Sequence, residues 1–225
     1  MPPAGESAIP IFCYVTDRTA LDAGDSSERL IATIRAAIGA GVDWVQIREK
    51  DLSARDLLAL TAAAVSAARN SGQERAAPAR VIVNDRLDVA LAASAAGVHL
   101  GRNSAPAAEV VRWRRSGNAP AEFLIGVSCH SLGEALRAEA QGASYVFFGP
   151  IFETPSKRPF GPPQGIVRLG EICKAVRIPV IAIGGLDAAN APECLRAGAA
   201  GMAAIRFFQE ENGRALAEKI AKLRG

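Results

Sequence analysis

Three polar side chains alternate along a short stretch that follows an apolar run. In "VDWVQIREKD", residues 42–51, the polar residues Gln46, Arg48 and Lys50 occupy every second position. Successive side chains of a β-strand point to opposite faces, so a strand here would place all three on one face. Two cations beside an amide suit the binding of an anionic ligand. A solvated cationic loop is the alternative interpretation.

A second polar pair, Asn84-Asp85, ends another apolar run. Amide and carboxylate oxygens are hard ligands, and Mg²⁺ commonly binds through one or two carboxylates together with substrate phosphates. The pair therefore predicts a magnesium ligand at Asp85. Asp85 could instead cap a helix that begins near Arg86, which is a common use of aspartate.

Two glycines, Gly184-Gly185, follow a later apolar run, and Ile205-Arg206 ends the last one. Backbone N–H groups at such positions form the phosphate cradle that is frequent in barrel enzymes, although the glycines could also form only a tight turn. Lys157, in the Gly- and Pro-rich segment 149–165, adds a third cation to Arg48 and Lys50. That charge exceeds what one monophosphate needs, so the residues predict a metal-assisted enzyme for two phosphorylated groups, one of them a diphosphate.

These positions lie at the ends of strands in a repeating pattern, in which an alanine-rich helix ends in glycine and a short apolar run follows. Glycine ends helices readily, and a run of this kind is typical of a strand buried on both faces. Alternating strands and helices predict a parallel sheet, and eight strands favour a single-domain (β/α)8 TIM barrel over a doubly wound sheet. The first strand also lacks the glycine motif of dinucleotide-binding sheets. The predicted strands are 11–15, 43–47, 80–84, 97–100, 123–127, 144–148, 178–183 and 201–205.

Composition limits the class of protein. The 225 residues are 49% hydrophobic and 22% charged, with a net charge of +3 and no basic run that would suit nucleic acid. The four cysteines are far apart and form no C-x-x-C pair, which favours buried free thiols. No signal peptide or membrane-spanning run is apparent. We therefore expect one cytoplasmic domain over residues 1–225, without nucleic-acid or membrane partners, and a homo-oligomer stays open.

Six motifs, read in order, resemble those of the thiamine-phosphate synthase and thiazole tautomerase family. They are "VQIREKD", "VNDR.DVALA", "GVHLG", "GVS.H", "FGPIF.T.SK" and "IPVIAIGG", and the resemblance runs from about residue 11 to residue 208. It implies a transferase that joins 4-amino-2-methyl-5-pyrimidinylmethyl diphosphate to a thiazole phosphate carboxylate, with release of diphosphate and CO2. A thiazole tautomerase and a non-catalytic barrel that binds a phosphorylated ligand are the alternatives.

The resemblance also implies roles for individual residues. Asp85 would bind Mg²⁺, and the phosphate of the thiazole would lie against Gly185 and the backbone of Ile205 and Arg206. Thr154 and Ser156 would contact the thiazole phosphate. The pyrimidine diphosphate would be held by Gln46, Arg48, Lys50, Asn84, Ser128 and Lys157. Of these, Arg48, Lys50, Ser128 and Lys157 are also predicted to assist the chemistry.

Two histidines differ in their expected roles. His99 lies within an apolar strand and is more typical of a hydrogen-bonded core residue than of a catalyst. His130 follows the fifth strand, where a histidine of the tautomerase branch is thought to move a proton, so it is a further catalytic candidate.

Two positions depart from the synthase pattern. Gly101-Arg102-Asn103-Ser104 stands where the family's G-Q-x-D would supply a second aspartate ligand, so Ser104 replaces that carboxylate. Arg206 stands where serine is usual. We therefore expect Arg102 to share in neutralising the diphosphate and magnesium dependence to be weaker than at a two-aspartate site.

Overall fold

Eight parallel strands close into a barrel in the computed structural model, which describes residues 9–21, 26–71, 77–154, 162–210 and 213–225. Each strand pairs with its neighbours in sequence, and β1 pairs with β8. The predicted (β/α)8 barrel is confirmed, and every predicted strand is found with its bounds shifted by two residues at most. The strands are β1 Ile11–Val15, β2 Trp44–Ile47, β3 Arg80–Asn84, β4 Gly97–Leu100, β5 Leu124–Cys129, β6 Tyr145–Phe148, β7 Val180–Ile183 and β8 Gly201–Ala204.

Helices alternate with the strands along the chain. Two begin at serines whose hydroxyls accept a backbone hydrogen bond: Ser53 from the N–H of Asp56 before α2, and Ser131 from that of Glu134 before α5. Such caps satisfy N–H groups that have no partner within the helix. The helices are α1 Ser26–Gly39, α2 Ala54–Arg69, α3 Leu87–Ala92, α4 Ala107–Trp113, α5 Leu132–Ala140, α6 Gly165–Ala175, α7 Ala191–Arg196, α8 Arg206–Gln209 and α9 Gly213–Arg224.

The barrel has two apolar regions. The larger lies between strands and helices, and the smaller fills the barrel interior with side chains that include Trp44, Ile82, Tyr145, Phe147 and Ile181. Alternate residues of a barrel strand face inward. Gln46 and Asn84 lie two residues beyond Trp44 and Ile82, and Ser128 pairs in register with Phe147. Polar side chains therefore lie directly above the apolar interior, at the carboxyl ends of the strands.

The segment after β6 leaves the barrel and returns to it at nearly the same place. The N–H of Gln164 donates to the carbonyl of Pro150 at 2.7 Å, and the N–H of Gly165 donates to that of Ile151 at 3.1 Å. Backbone bonds from Ile151 and Phe152 to the end of β7 fix the outgoing chain as well. Residues 155–161 of this segment lie outside the described residues.

At the opposite end of the barrel, a salt bridge ties the last helix to the start of β2. The guanidinium of Arg224, near the end of α9, lies 2.8 Å from the carboxylate of Asp43 and 2.9 Å from the carbonyl of Gly41. Asp43 also accepts from the N–H of Phe12 at 2.8 Å. The last helix is thereby fixed beneath β1 and β2.

Candidate active site

Four polar side chains form a hydrogen-bonded row across the carboxyl ends of β2, β3 and β4. Gln46 Nε2 donates to Asn84 Oδ1 at 3.0 Å, and Asn84 Nδ2 donates to Asp85 Oδ2 at 2.8 Å. Ser104, in the loop after β4, donates from its hydroxyl to Asp85 Oδ1. Three residues predicted to bind substrate or metal, Gln46, Asn84 and Asp85, are thus brought together.

Gln46 ends this row in the barrel interior, where only 2% of its surface is exposed. Its Oε1 has no hydrogen-bond partner among the described residues. A buried carbonyl oxygen without a partner is costly, and binding sites are common exceptions to full satisfaction. Gln46 therefore offers a bound molecule an acceptor for an N–H or O–H group.

Asp85 is held in a conformation that few non-glycine residues adopt. Its φ is +62°, and its N–H donates to the carbonyl of His99 at 2.9 Å. Its side chain does not cap α3, because Arg86 is the residue at the cap position and no side chain caps that helix end. The capping alternative is therefore wrong. The carboxylate faces Asn84, Ser104 and the N–H of Gly101 instead.

The oxygen donors around Asp85 fit Mg²⁺ in a limited way. The row supplies one carboxylate and the hydroxyl of Ser104, and magnesium often binds proteins through a single carboxylate plus substrate phosphates. Within the described part of the chain, no group of three or more His, Cys, Asp or Glu residues is placed to hold a metal. The donor set therefore suits an ion that the substrate helps to coordinate.

The strand ends sooner than the alternation of Gln46, Arg48 and Lys50 suggested. β2 stops at Ile47, and Glu49 turns inward, where Thr16 Oγ1 donates to it at 2.6 Å and the N–H of Arg18 donates at 3.1 Å. Glu49 is therefore a structural anchor for the loop after β2. Its position fixes the backbone between Arg48 and Lys50.

Arg48 and Lys50 supply positive charge that the described chain does not neutralise. Neither side chain has a carboxylate within 4 Å among the described residues, whereas nearby Arg18 pairs with Asp51 at 2.7 Å. Arg48 also lies close enough to His99 to help lower the pKa of that imidazole. Two cations without counter-ions near the mouth of the barrel favour an anionic ligand over a purely structural role.

A cavity of about 220 Å³ opens beside Lys50, Asn84 and Asp85. Arg86 forms another part of its wall, and Leu52 and Leu57 contribute apolar surface. Arg86 itself pairs with Asp88 through two hydrogen bonds of 2.9 and 2.6 Å, so most of its charge is locally compensated. Lys50 is thus the cation of this wall that is available to a ligand.

Ser128 and His99 form the next part of the mouth. Ser128, near the end of β5, lies 2.9 Å through its Oγ from Nε2 of His99, whose Nδ1 lies 3.1 Å from the hydroxyl of Tyr145. Burial lowers the pKa of His99 to about 3, and Arg48 contributes while Asp85 opposes the shift. The expectation that His99 is a hydrogen-bonded core histidine is confirmed.

His130 lies just beyond β5 with a defined tautomer. The backbone N–H of His130 donates to Glu134 Oε2 at 2.6 Å, and the ring atom Nδ1 is 2.5 Å from the carbonyl of Gly149. A carbonyl only accepts, so Nδ1 must carry the proton and, in the neutral ring, Nε2 keeps its lone pair. This geometry leaves His130 able to accept a proton.

The glycines after β7 allow the loop after β6 to approach closely. A Cβ on Gly184 would lie 2.6 Å from Cβ of Pro150, and one on Gly185 would lie 2.7 Å from the carbonyl of Glu153. Both residues also have positive φ, and Asn190 donates to the carbonyl of Gly185 at 2.9 Å. The pair thus permits a close approach of two loops, and both the tight-turn interpretation and a role toward a phosphate stay predictions.

The remaining predicted site residues follow β6 and β8, and some of them lie outside the described residues. Ile205 and the exposed Arg206 start α8 directly after β8, and Thr154 is half-buried at the start of the segment after β6. Ser156 and Lys157 lie outside the described residues. The roles of all of these residues toward substrate stay predictions.

Sequence reasoning missed the hydrogen bond between Ser104 and Asp85 and the burial of Glu49. In the sequence, Ser104 is distinguished only by standing where the family resemblance implies an aspartate. All four cysteines are free thiols, as expected, and three are buried, whereas Cys173 is half-buried against the core. Burial raises the pKa of Cys129 and Cys194 to about 12 and that of Cys173 to about 11, so these thiols stay protonated.

Comparison with known proteins agrees with this geometry. Residues 12–208 match the family model described as thiamine monophosphate synthase. The chain belongs to this family. The expected family and the expected enzyme class, a transferase, are both confirmed.

Individual relatives in the family cover most of the chain. A putative thiamine-phosphate synthase of Geobacter sulfurreducens is 47% identical over 85% of this chain and 83% of its own length. A thiamine-phosphate synthase of Methanoculleus marisnigri is 43% identical, covering 83% and 86%. The solved thiamine phosphate pyrophosphorylase of Pyrococcus furiosus is 30% identical with a TM-score of 0.78, covering 97% of this chain and 96% of that one. A 3-hexulose-6-phosphate synthase, 16% identical with a TM-score of 0.67, shares the fold.

None of the helices in the described ranges combines the length and the apolar character needed to cross a bilayer.

Proposed function

We propose that this chain joins 4-amino-2-methyl-5-pyrimidinylmethyl diphosphate to thiazole phosphate carboxylate and forms thiamine phosphate, diphosphate and CO2. The observation that carries the proposal is the family match across residues 12–208, which spans the barrel and its mouth. Relatives that are 43–47% identical are named thiamine-phosphate synthase, with or without the word putative. The row from Gln46 to Ser104 supplies polar groups suited to the pyrimidine diphosphate.

The reaction needs little from a protein base. The bond between the pyrimidinylmethyl carbon and the diphosphate oxygen breaks, and the electron pair leaves with diphosphate. The thiazole nitrogen then attacks the resulting cation, and loss of CO2 with uptake of one proton from water completes the product. The main demand on the protein is to neutralise charge that develops on the departing diphosphate, which fixed cations do well.

The cations of this chain fit that demand. Arg48 and Lys50 have no carboxylate partner among the described residues, and we assign them, with Lys157, to the diphosphate. Asp85, with the hydroxyl of Ser104 beside it, would hold Mg²⁺, which when bound would supply further charge neutralisation to the diphosphate. We assign Oε1 of Gln46 as an acceptor for the exocyclic amine of the pyrimidine, which would satisfy its buried oxygen.

The thiazole side of the site is assigned to the loops after β6, β7 and β8. Thr154 and Ser156 would contact the thiazole phosphate, and Gly185 with the backbone of Ile205 and Arg206 would surround its phosphate group. Gly185 supports this assignment because it lies against the start of the segment that contains Thr154.

The test is direct. Purified protein is given both substrates with magnesium, and thiamine phosphate is measured by chromatography. Formation at a rate that scales with enzyme and falls in Arg48→Ala supports the proposal. No product above the background of a protein-free control would overturn it.

His130 favours one second candidate, an aromatising thiazole tautomerase. Its Nδ1 is tied to the carbonyl of Gly149, so Nε2 is an acceptor next to the proposed thiazole side. Faster aromatisation of the thiazole carboxylate that is lost in His130→Ala would support this activity. An unchanged rate with the wild-type protein would exclude it.

We further propose that the enzyme acts in the cytoplasm on these small molecules alone, with neither nucleic acid nor membrane as a partner. Sedimentation of the purified chain would decide whether it forms a homo-oligomer.

A further inference from the structure

Three side chains from neighbouring strands form a hydrogen-bonded chain inside the barrel. The hydroxyl of Tyr145 on β6 lies 3.1 Å from Nδ1 of His99 on β4, and Nε2 of His99 lies 2.9 Å from Oγ of Ser128 on β5. Tyr145 is fully buried and His99 is 2% exposed, whereas Ser128 is half-buried at the mouth. These hydrogen bonds therefore connect the closed interior of the barrel to the proposed diphosphate site.

The packing shows that this arrangement is built into the strands. His99 pairs in register with Gly126, and Gly126 pairs with Tyr145. A Cβ on Gly126 would lie 2.1 Å from Cζ of Tyr145, so the absence of a side chain there lets the phenol ring cross to His99. Phe147 packs against the imidazole at 4.3 Å, and Trp44 packs against Tyr145 at 4.7 Å, measured between ring centroids. Both hydrogen-bonding rings are thus held in one orientation.

The available donors and acceptors determine which atom donates in each of these two hydrogen bonds. Among the described residues, Nδ1 of His99 is the one hydrogen-bond partner of the Tyr145 hydroxyl, and the nearby interior side chains are otherwise apolar except for the thiol of Cys13, which is only a weak acceptor. Burial raises the pKa of Tyr145 well above its usual value, so the phenol keeps its proton. A buried O–H group needs an acceptor, so Tyr145 donates to Nδ1. In the neutral imidazole the proton then lies on Nε2, which donates to Oγ of Ser128.

The opposite direction would leave the proton of Tyr145 without an acceptor in the barrel interior. It would also make Ser128 donate to His99 and face the mouth only as an acceptor. An acceptor there would suit a diphosphate badly, because phosphate oxygens need donors.

We propose that His99 is a positioning residue that, with Tyr145 behind it, occupies the acceptor side of Ser128 and so directs the Ser128 hydroxyl proton toward the diphosphate. The inference rests on the proposed function only in assigning diphosphate as the group that Ser128 meets. The direction of the two hydrogen bonds does not depend on that assignment, because it is a property of the protein without ligand.

The direction can be tested without any substrate. The sequence contains two histidines, so two-bond ¹H–¹⁵N correlation spectra give one tautomer for each ring, and His130→Gln assigns them. We expect the Nε2–H form for His99 and the Nδ1–H form for His130. An Nδ1–H form at His99 would overturn the proposal, even if the protein makes thiamine phosphate. An Nε2–H form at His99 would support the proposed direction even if the protein makes no thiamine phosphate.

The consequence for binding is tested by a double-mutant cycle with inorganic diphosphate and magnesium, measured by calorimetry. Tyr145→Phe keeps the ring and removes the donor, and we expect its affinity for diphosphate to fall by about 3- to 10-fold, the usual range for one hydrogen bond. In a Ser128→Ala background the same substitution should have no further effect, because it acts through Ser128. An equal loss in both backgrounds would overturn the proposal.

Trp44→Phe is the matched control. It trims one of the two apolar aromatic rings that pack on Tyr145, the second being Phe147, and leaves the three hydrogen-bonding side chains in place. Its effect on affinity should be the same with and without Ser128→Ala. Coupling as large as that of Tyr145→Phe would show that packing, and not the proton on Ser128, carries the effect, and it would refute the proposal. Thermal unfolding confirms that each variant is folded.

Discussion

Ser104 donates its hydroxyl to the carboxylate of Asp85 and joins the loop after β4 to the end of β3. Its Oγ also accepts from the N–H of Gly101 at 2.6 Å, so the hydroxyl has defined partners on both sides. A single carboxylate is therefore held in place by a neutral group where the family resemblance leads one to expect two carboxylates.

Ser104→Asp tests this difference. A second carboxylate beside Asp85 should raise magnesium affinity on the order of tenfold, because affinity for hard cations increases with the number of charged ligands. The same variant should unfold at lower temperature without magnesium, since two like charges repel. Calorimetric titration with magnesium gives the affinity, and Ser104→Asn is the neutral control. Tight magnesium binding by the unaltered protein would contradict the expectation of a weak site.

Arg48→Ala tests the neutralisation of diphosphate. Loss of one such interaction typically raises a barrier by about 2.7–4 kcal/mol, so turnover should fall by about 10²- to 10³-fold. The unfolding temperature should stay unchanged, because the guanidinium has no carboxylate partner among the described residues. Lys157→Ala should behave in the same way. Lys174→Ala, on the exposed face of α6, should leave turnover at the wild-type level. Full activity in Arg48→Ala would remove Arg48 from the site.

His99 makes stability depend on pH. Its pKa is lowered from 6.5 to about 3 in the folded protein, so between these values the unfolded chain binds the proton and the folded chain does not. The free energy of unfolding should therefore fall as the pH drops from about 6.5 toward about 3, by up to about 1.4 kcal/mol per pH unit.

Urea unfolding at pH 7, 6 and 5 measures this slope. His99→Gln lacks the titrating group, so its stability should fall less over the same range. Parallel slopes for the two proteins would mean that His99 titrates normally when folded.

Gly126→Ala should destabilise the barrel interior. The added Cβ would meet Cζ of Tyr145 at 2.1 Å, and overpacking of this kind typically costs about 1–3 kcal/mol. Gly133→Ala is the control, because a Cβ on this residue of α5 meets no atom within 4 Å and alanine is the better helix former. Chemical unfolding of both variants makes the comparison. Equal stability would mean that the Tyr145 ring can move aside at little cost.

The strands were predictable because the apolar runs are short and largely buried, and because β2, β6 and β8 each follow a helix that is ended by a glycine with positive φ: Gly41, Gly142 and Gly198. The grouping of polar residues at the strand ends was predictable as well, because parallel strands bring their carboxyl ends to one edge. The contact between His99 and Tyr145 was not, because it joins residues 46 apart whose alignment depends on the register of three strands. Glu49 was missed for another reason: nothing in its neighbours shows that Thr16 and Arg18 lie within reach.

The segment that leaves the barrel after β6 is closed at its base by the bonds from Gln164 to Pro150 and from Gly165 to Ile151. Because both ends are fixed, we expect a change of length between the anchors to leave β6 and α6 in place, since doubling a loop costs only about 0.6 kcal/mol in closure entropy. The two ends of the segment are therefore fixed by the barrel, independently of the residues between them. Selection on what it binds can change its length and sequence while the barrel that carries it stays the same.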